Sequence, residues 1–112
     1  MNQLTKKICT ACRVGAPLAT EEEINEFMPQ LPYWEIIEEK GVKQLKRVII
    51  FNDFVDAMAF SQKVAILAED ENHHPAILTE WGKVTVFWWT HKINGLHVND
   101  FIMAAKTDEL IT

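Results

Sequence analysis

The spacing of apolar positions changes several times along the chain, and each change marks an element. Thr20 followed by Glu21, Glu22 and Glu23 is an acceptor side chain with acidic residues behind it, and Ile24, Phe27 and Met28 form an apolar stripe. This predicts a helix from about Thr20 to Met28, ended by Pro29 and Pro32, neither of which can donate a backbone hydrogen bond. YWEIIEEK and VKQLKRVIIF, rich in β-branched and aromatic residues, flank Gly41 and predict a hairpin. Phe54, Met58, Ala65 and Ala68 then recur at helical steps, widened by Val55, Val64 and Leu67 and capped by Asn52 or Asp53. A helix from about Phe54 to Asp70 is expected to lie on a sheet as the central core element. AILTEW and KVTVFWWT around Gly82 predict a second hairpin, with Val84, Val86 and Trp88 on one face. After a loop at Asn94-Gly95, Phe101, Ile102, Ala105 and Leu110 mark a last amphipathic helix, for which Asn99 is the expected cap.

The order α-β-β-α-β-β-α, with hairpins in place of crossovers, predicts an α+β two-layer sandwich: a four-stranded antiparallel sheet with three helices on one face. Such a sheet leaves edge strands open to pairing with another chain, so a homo-oligomer is expected. At 112 residues and 48% hydrophobic content the sequence supports one core, placed in residues 20–112, behind a mobile amino-terminal segment over residues 1–19. That segment holds Cys9 and Cys12, a lone C-x-x-C without two further ligands for zinc and without a preceding strand for a thioredoxin-like site. Two reduced thiols are the expectation.

Charge narrows the partners. A net charge of −5 argues against a phosphate-binding surface, and the basic residues are scattered apart from Lys43, Lys46 and Arg47, which read as the wet face of a strand. No apolar run is long enough for a signal peptide or a membrane span, so a cytoplasmic protein that binds neither nucleic acid nor membrane is expected.

The candidate chemistry lies in the histidines. His73 and His74 precede the first strand of the second hairpin and His91 follows its second, so antiparallel pairing brings the three imidazoles toward one small volume. Imidazole gives and takes protons near neutrality, and Glu69, Asn72 and Asp100 supply polar groups nearby. Three histidines also suit a zinc site with an open position. Neighbours in extended chain point to opposite faces, so His73 and His74 could share one ion only if the turn at Pro75 bends the backbone. Spacing leaves acid–base chemistry and metal binding both open.

The run Glu69-x-x-x-His73-His74-Pro75, with Trp81, His91 and Asp100 at fitting intervals, resembles the signature of the pterin-4a-carbinolamine dehydratases. Trp34 in PYWEI, the stretch FNDFVDAMAF, and THKINGL and AAKTDEL are similar to other parts of that family. The resemblance implies an α+β domain assembling as a homodimer or homotetramer. It also implies dehydration of 4a-hydroxytetrahydropterin to quinonoid dihydropterin, which recycles the cofactor of aromatic amino-acid hydroxylases, with no metal and no bound cofactor. By carry-over His73, His74 and His91 are catalytic, and Glu69, Asn72, Pro75, Thr90, Asp100 and Trp34 bind substrate. Two positions depart from the pattern: Asn72 where Asp is common, and His97 where Ser or Thr caps the last helix, so that helix is expected to begin at Asn99, with His97 a surface or helix-start residue. The resemblance leaves two alternatives: a dimerisation module for a transcription factor, and action on a molybdopterin-related pterin.

Overall fold

A computed structural model describes residues 17–111. Cys9, Cys12 and most of the segment expected to be mobile lie outside the described residues. The amino-terminal helix α1 (Glu21–Phe27) starts at a capping box: the Thr20 hydroxyl accepts the Glu23 N–H, and the Glu23 carboxylate accepts the Thr20 N–H. Pro29 closes it into a 3-10 turn over Met28–Gln30. Strands β1 (Glu35–Glu39) and β2 (Val42–Ile50) pair across Lys40 and Gly41, both with positive φ, the backbone a tight hairpin turn requires. After α2 (Phe54–Glu71), β3 (Ala76–Glu80) and β4 (Lys83–Trp88) form the second hairpin, and α3 (Val98–Glu109) ends the fold. The order is the expected α-β-β-α-β-β-α.

The sheet order is β1-β2-β4-β3 and every pair is antiparallel. Leu45 lies opposite Trp88, and Ile49 opposite Val84, so one face of the two central strands carries a continuous apolar surface. These residues, with Val86, join Ala57, Phe60 and Val64 of α2 and Phe101, Ile102 and Ala105 of α3 in one core. The opposite face is open, with Val48, Ile50 and Leu78 exposed. Among the described residues no helix is long and apolar enough to cross a membrane.

Three expectations are corrected. The buried stripe of α2 runs through Ala57, Phe60, Ser61, Val64 and Ala68, while Phe54 and Ala65 face outward. Helix α2 is apolar on more than one side, and the side with the small residues Ala57, Ser61 and Ala68 lets the helix approach the sheet closely. Lys43, Lys46 and Arg47 do not share a wet face: strand alternation puts Lys43 and Arg47 on the side of Leu45 and Ile49 and Lys46 on the other. Arg47 pairs with Asp108 and lies over the Tyr33 ring, with 4.7 Å from Cζ to the centroid. His97 does stand at the helix start, but as a buried cap and not at the surface, and α3 begins at Val98 with His97 in place of Asn99 as its cap. Its Nδ1 accepts the Asn99 N–H at 3.0 Å, an acceptor role that neutral imidazole can fill as a hydroxyl does.

Candidate active site

The site is built where α2 ends, β4 ends and α3 begins. Asn72 closes α2 in the left-handed conformation (φ 52, ψ 42), a geometry that Asn tolerates better than other residues with a side chain, apart from Asp. The bend therefore falls one residue before the paired histidines, at Asn72, and not at Pro75. His73 stays tied to the helix through its N–H to the Ala68 carbonyl at 3.1 Å. Pro75 follows as the lead into β3. The register Ala76 to Phe87 brings this segment beside Thr90 and His91, which leave β4.

His73 turns inward. It is 5% exposed, its Nε2 lies 2.6 Å from Asp100 Oδ1, and its ring stacks on the Trp88 indole at 5.7 Å between centroids with 7° between planes. Asp100 is fully buried, and its other oxygen accepts the Thr90 hydroxyl and the His97 N–H, both at 2.8 Å. It sits in the first turn of α3, where backbone dipoles favour a negative charge. A carboxylate only accepts, so this network assigns the proton between the pair to His73 Nε2.

His74 turns outward: its Nε2 pairs with Glu69 Oε2, and both side chains are more than half exposed. His91 opens a 3-10 turn, His91–Ile93, held by the exchange between Thr90 and Gly95, and its ring rests against the Trp89 indole with centroids 4.3 Å apart. The three imidazoles, Asn72, Thr90 and Lys92 line one cavity of about 240 Å³. Glu69 and Asp100 stand behind His74 and His73, one carboxylate to each.

Trp34 does not line this cavity. It is buried, and its Nε1 donates to Asp108 Oδ1 at 2.8 Å, eight residues along α3 from Asp100, or about 12 Å of helix. Trp81 sits in the β3–β4 turn, largely exposed. The sequence reading missed Lys92, which carried no signal beyond its place next to His91. It also missed the ring contacts of Trp88 with His73 and of Trp89 with His91. Among the described residues no three His, Cys, Asp or Glu side chains are arranged to hold a metal ion.

Fold and site together define an α+β domain whose pocket is lined by three imidazoles, two of them paired with carboxylates. The family model for pterin 4 alpha carbinolamine dehydratase matches residues 17–110, and the chain belongs to that family. Its relatives include proteins named "Putative pterin-4-alpha-carbinolamine dehydratase" from Nitrosococcus oceani, 58% identical over 99% of this chain and 98% of the relative. Another of the same name, from Syntrophotalea carbinolica, is 57% identical over 99% of both chains. A solved structure described as a transcriptional coactivator/pterin dehydratase from Brucella melitensis superposes with a TM-score of 0.75 at 31% identity, covering 86% of this chain and all of that one. A pterin dehydratase-like protein identified as a RuBisCO assembly factor shares the fold, with a TM-score of 0.58 at 22% identity over 69% of this chain and 87% of its own.

Proposed function

We propose that the chain removes water from a 4a-hydroxytetrahydropterin to give the quinonoid dihydropterin, in recycling of the pterin cofactor of aromatic amino-acid hydroxylases. The observation that carries the reading is the pair of adjacent imidazoles, His73 and His74, each on its own carboxylate and both facing one cavity with His91. At about 240 Å³ that cavity lies below the usual ~300–1,000 Å³ of drug-sized sites and suits one small fused ring system.

In this reading the C4a–O bond breaks as the hydroxyl is protonated, and a ring N–H proton leaves to complete the dehydration. One group must give a proton and another must take one, and two imidazoles divide the task. His74, half exposed and backed by Glu69, acts on the departing hydroxyl. His73, fixed by Asp100, and His91, across the cavity, hold the ring and exchange its protons. Dehydration of a carbinolamine proceeds slowly unaided, so positioning and proton transfer worth about 10²–10⁴-fold account for the catalyst. No metal or bound cofactor enters this chemistry.

The test is the dehydration of a synthetic 4a-carbinolamine, followed as quinonoid dihydropterin appears, with wild type and His74→Ala. Acceleration by wild type well above that of the variant is expected. Equal rates with and without wild-type protein refute the reading, and acceleration only of a molybdopterin-related pterin moves the substrate to that alternative.

The outward apolar side chains Phe54, Val55 and Ile66 on α2, 45%, 75% and 63% exposed, favour a second role in association. We assign them to a homodimer or homotetramer, with a transcription-factor partner as the competing occupant. Light scattering on the pure protein tests the assignment, and a strictly monomeric mass refutes it.

A further inference from the structure

Two of the three site imidazoles are oriented by carboxylates, His73 by Asp100 and His74 by Glu69. His91 is not. Among the described residues its imidazole makes no hydrogen bond or ion pair, and its ring contact is the Trp89 indole, with centroids 4.3 Å apart and 36° between planes. The alternation of β4 explains the pairing. Thr90 is extended (φ −96, ψ 109), so Trp88 and Thr90 project to one side and Trp89 and His91 to the other. Trp88 and Thr90 serve His73, the first by stacking and the second by donating to Asp100. The odd positions carry His91 and the indole its ring rests against.

We propose that Trp89 is a positioning residue for the reaction, holding the His91 ring over the cavity by a face contact where the other two imidazoles use a carboxylate. An indole restrains the plane of a neighbouring ring without engaging either of its nitrogens. A carboxylate would fix one tautomer, as Asp100 does for His73. His91 is thus held in place while both nitrogens stay available, the property wanted in a group that exchanges protons with different positions of a bound ring. Trp89 is only partly buried and packs at the margin of the core, so it can be replaced without opening the interior.

The proposal rests on the dehydratase reading for its kinetic arm alone, and a spectroscopic arm decides it independently. In Trp89→Ala the ring protons of His91, observed by NMR on the folded protein, should lose the upfield displacement imposed by the indole, while those of His73 and His74 keep their positions. Trp89→Phe should restore most of that displacement. With the carbinolamine substrate, Trp89→Ala should raise KM roughly three- to tenfold with a smaller fall in kcat, and Trp89→Phe should recover most of the loss. Unchanged His91 resonances in Trp89→Ala would overturn the proposal. So would a Phe variant as impaired as the Ala variant in both measurements, since Phe keeps an aromatic face at that position. If wild-type protein fails to dehydrate the carbinolamine, the functional reading falls and the resonances alone decide whether Trp89 places His91.

Discussion

Nε2 of His73 and Oδ1 of Asp100 meet at 2.6 Å, with side-chain exposures of 4% and 0%. The same carboxylate takes the Thr90 hydroxyl and the backbone N–H of His97, so one buried group joins the end of β4, the start of α3 and the turn after α2. Asp100→Asn puts an amide NH2 where one of these donors now points. A loss of about 1–3 kcal/mol of stability is expected, with a fall in kcat/KM as His73 loses its fixed tautomer. Urea unfolding beside steady-state kinetics checks both, and an unchanged stability would show that the network does not tie these elements together.

His74 and Glu69 form the contrasting pair, open to solvent. His74→Ala should leave stability within about 0.5 kcal/mol of wild type while kcat and kcat/KM fall together by about 10²-fold. His73→Ala and His91→Ala should act more on KM. An unchanged kcat in folded His74→Ala would remove it from proton delivery to the leaving hydroxyl.

Asn72 holds a left-handed backbone at the bend between α2 and the two adjacent histidines. Asn72→Ala should cost about 1 kcal/mol, because a Cβ without a polar side chain gains nothing in that conformation. Asn72→Gly should be nearly neutral in stability. Thermal melts of the two variants distinguish them, and equal losses would assign the cost to the Asn side chain in place of its backbone.

Treatment with a strong chelator followed by desalting should leave dehydration unchanged, since the proposed chemistry passes only through imidazoles and carboxylates. Loss of activity on chelation and its return with zinc would assign the histidines to a metal. Measurement of metal content in the same samples completes the experiment.

Much of this fold is legible in the sequence because local chemistry and tertiary structure agree there. The Thr20 capping box, the Gly41 hairpin and the alternation of Val84, Val86 and Trp88 each depend on residues within a few positions of one another, and all occur as read. The nearness of His91 to His73 and His74 follows from hairpin geometry alone.

Where two local readings compete, only packing selects between them. Nothing along α2 says whether Phe54 and Ala65 or Ala57 and Phe60 will face the sheet, since both rows are apolar, and it is the packing of the helix on the sheet that buries the second row. His97 is a weak cap by residue type, yet it caps α3 because burial holds its Nδ1 against the Asn99 N–H. The partners of the site histidines divide in the same way. Glu69 and His74 are five residues apart and meet by way of the helix end, whereas Asp100 reaches His73 across 27 positions, through the docking of α3 on the sheet. Residue type and hairpin spacing are enough to say which side chains can carry protons and that they gather at one end of the second hairpin. Tertiary structure decided which imidazole would be buried against a carboxylate, which would face solvent and which would rest on an indole, because burial and orientation depend on the surfaces that distant segments present to one another.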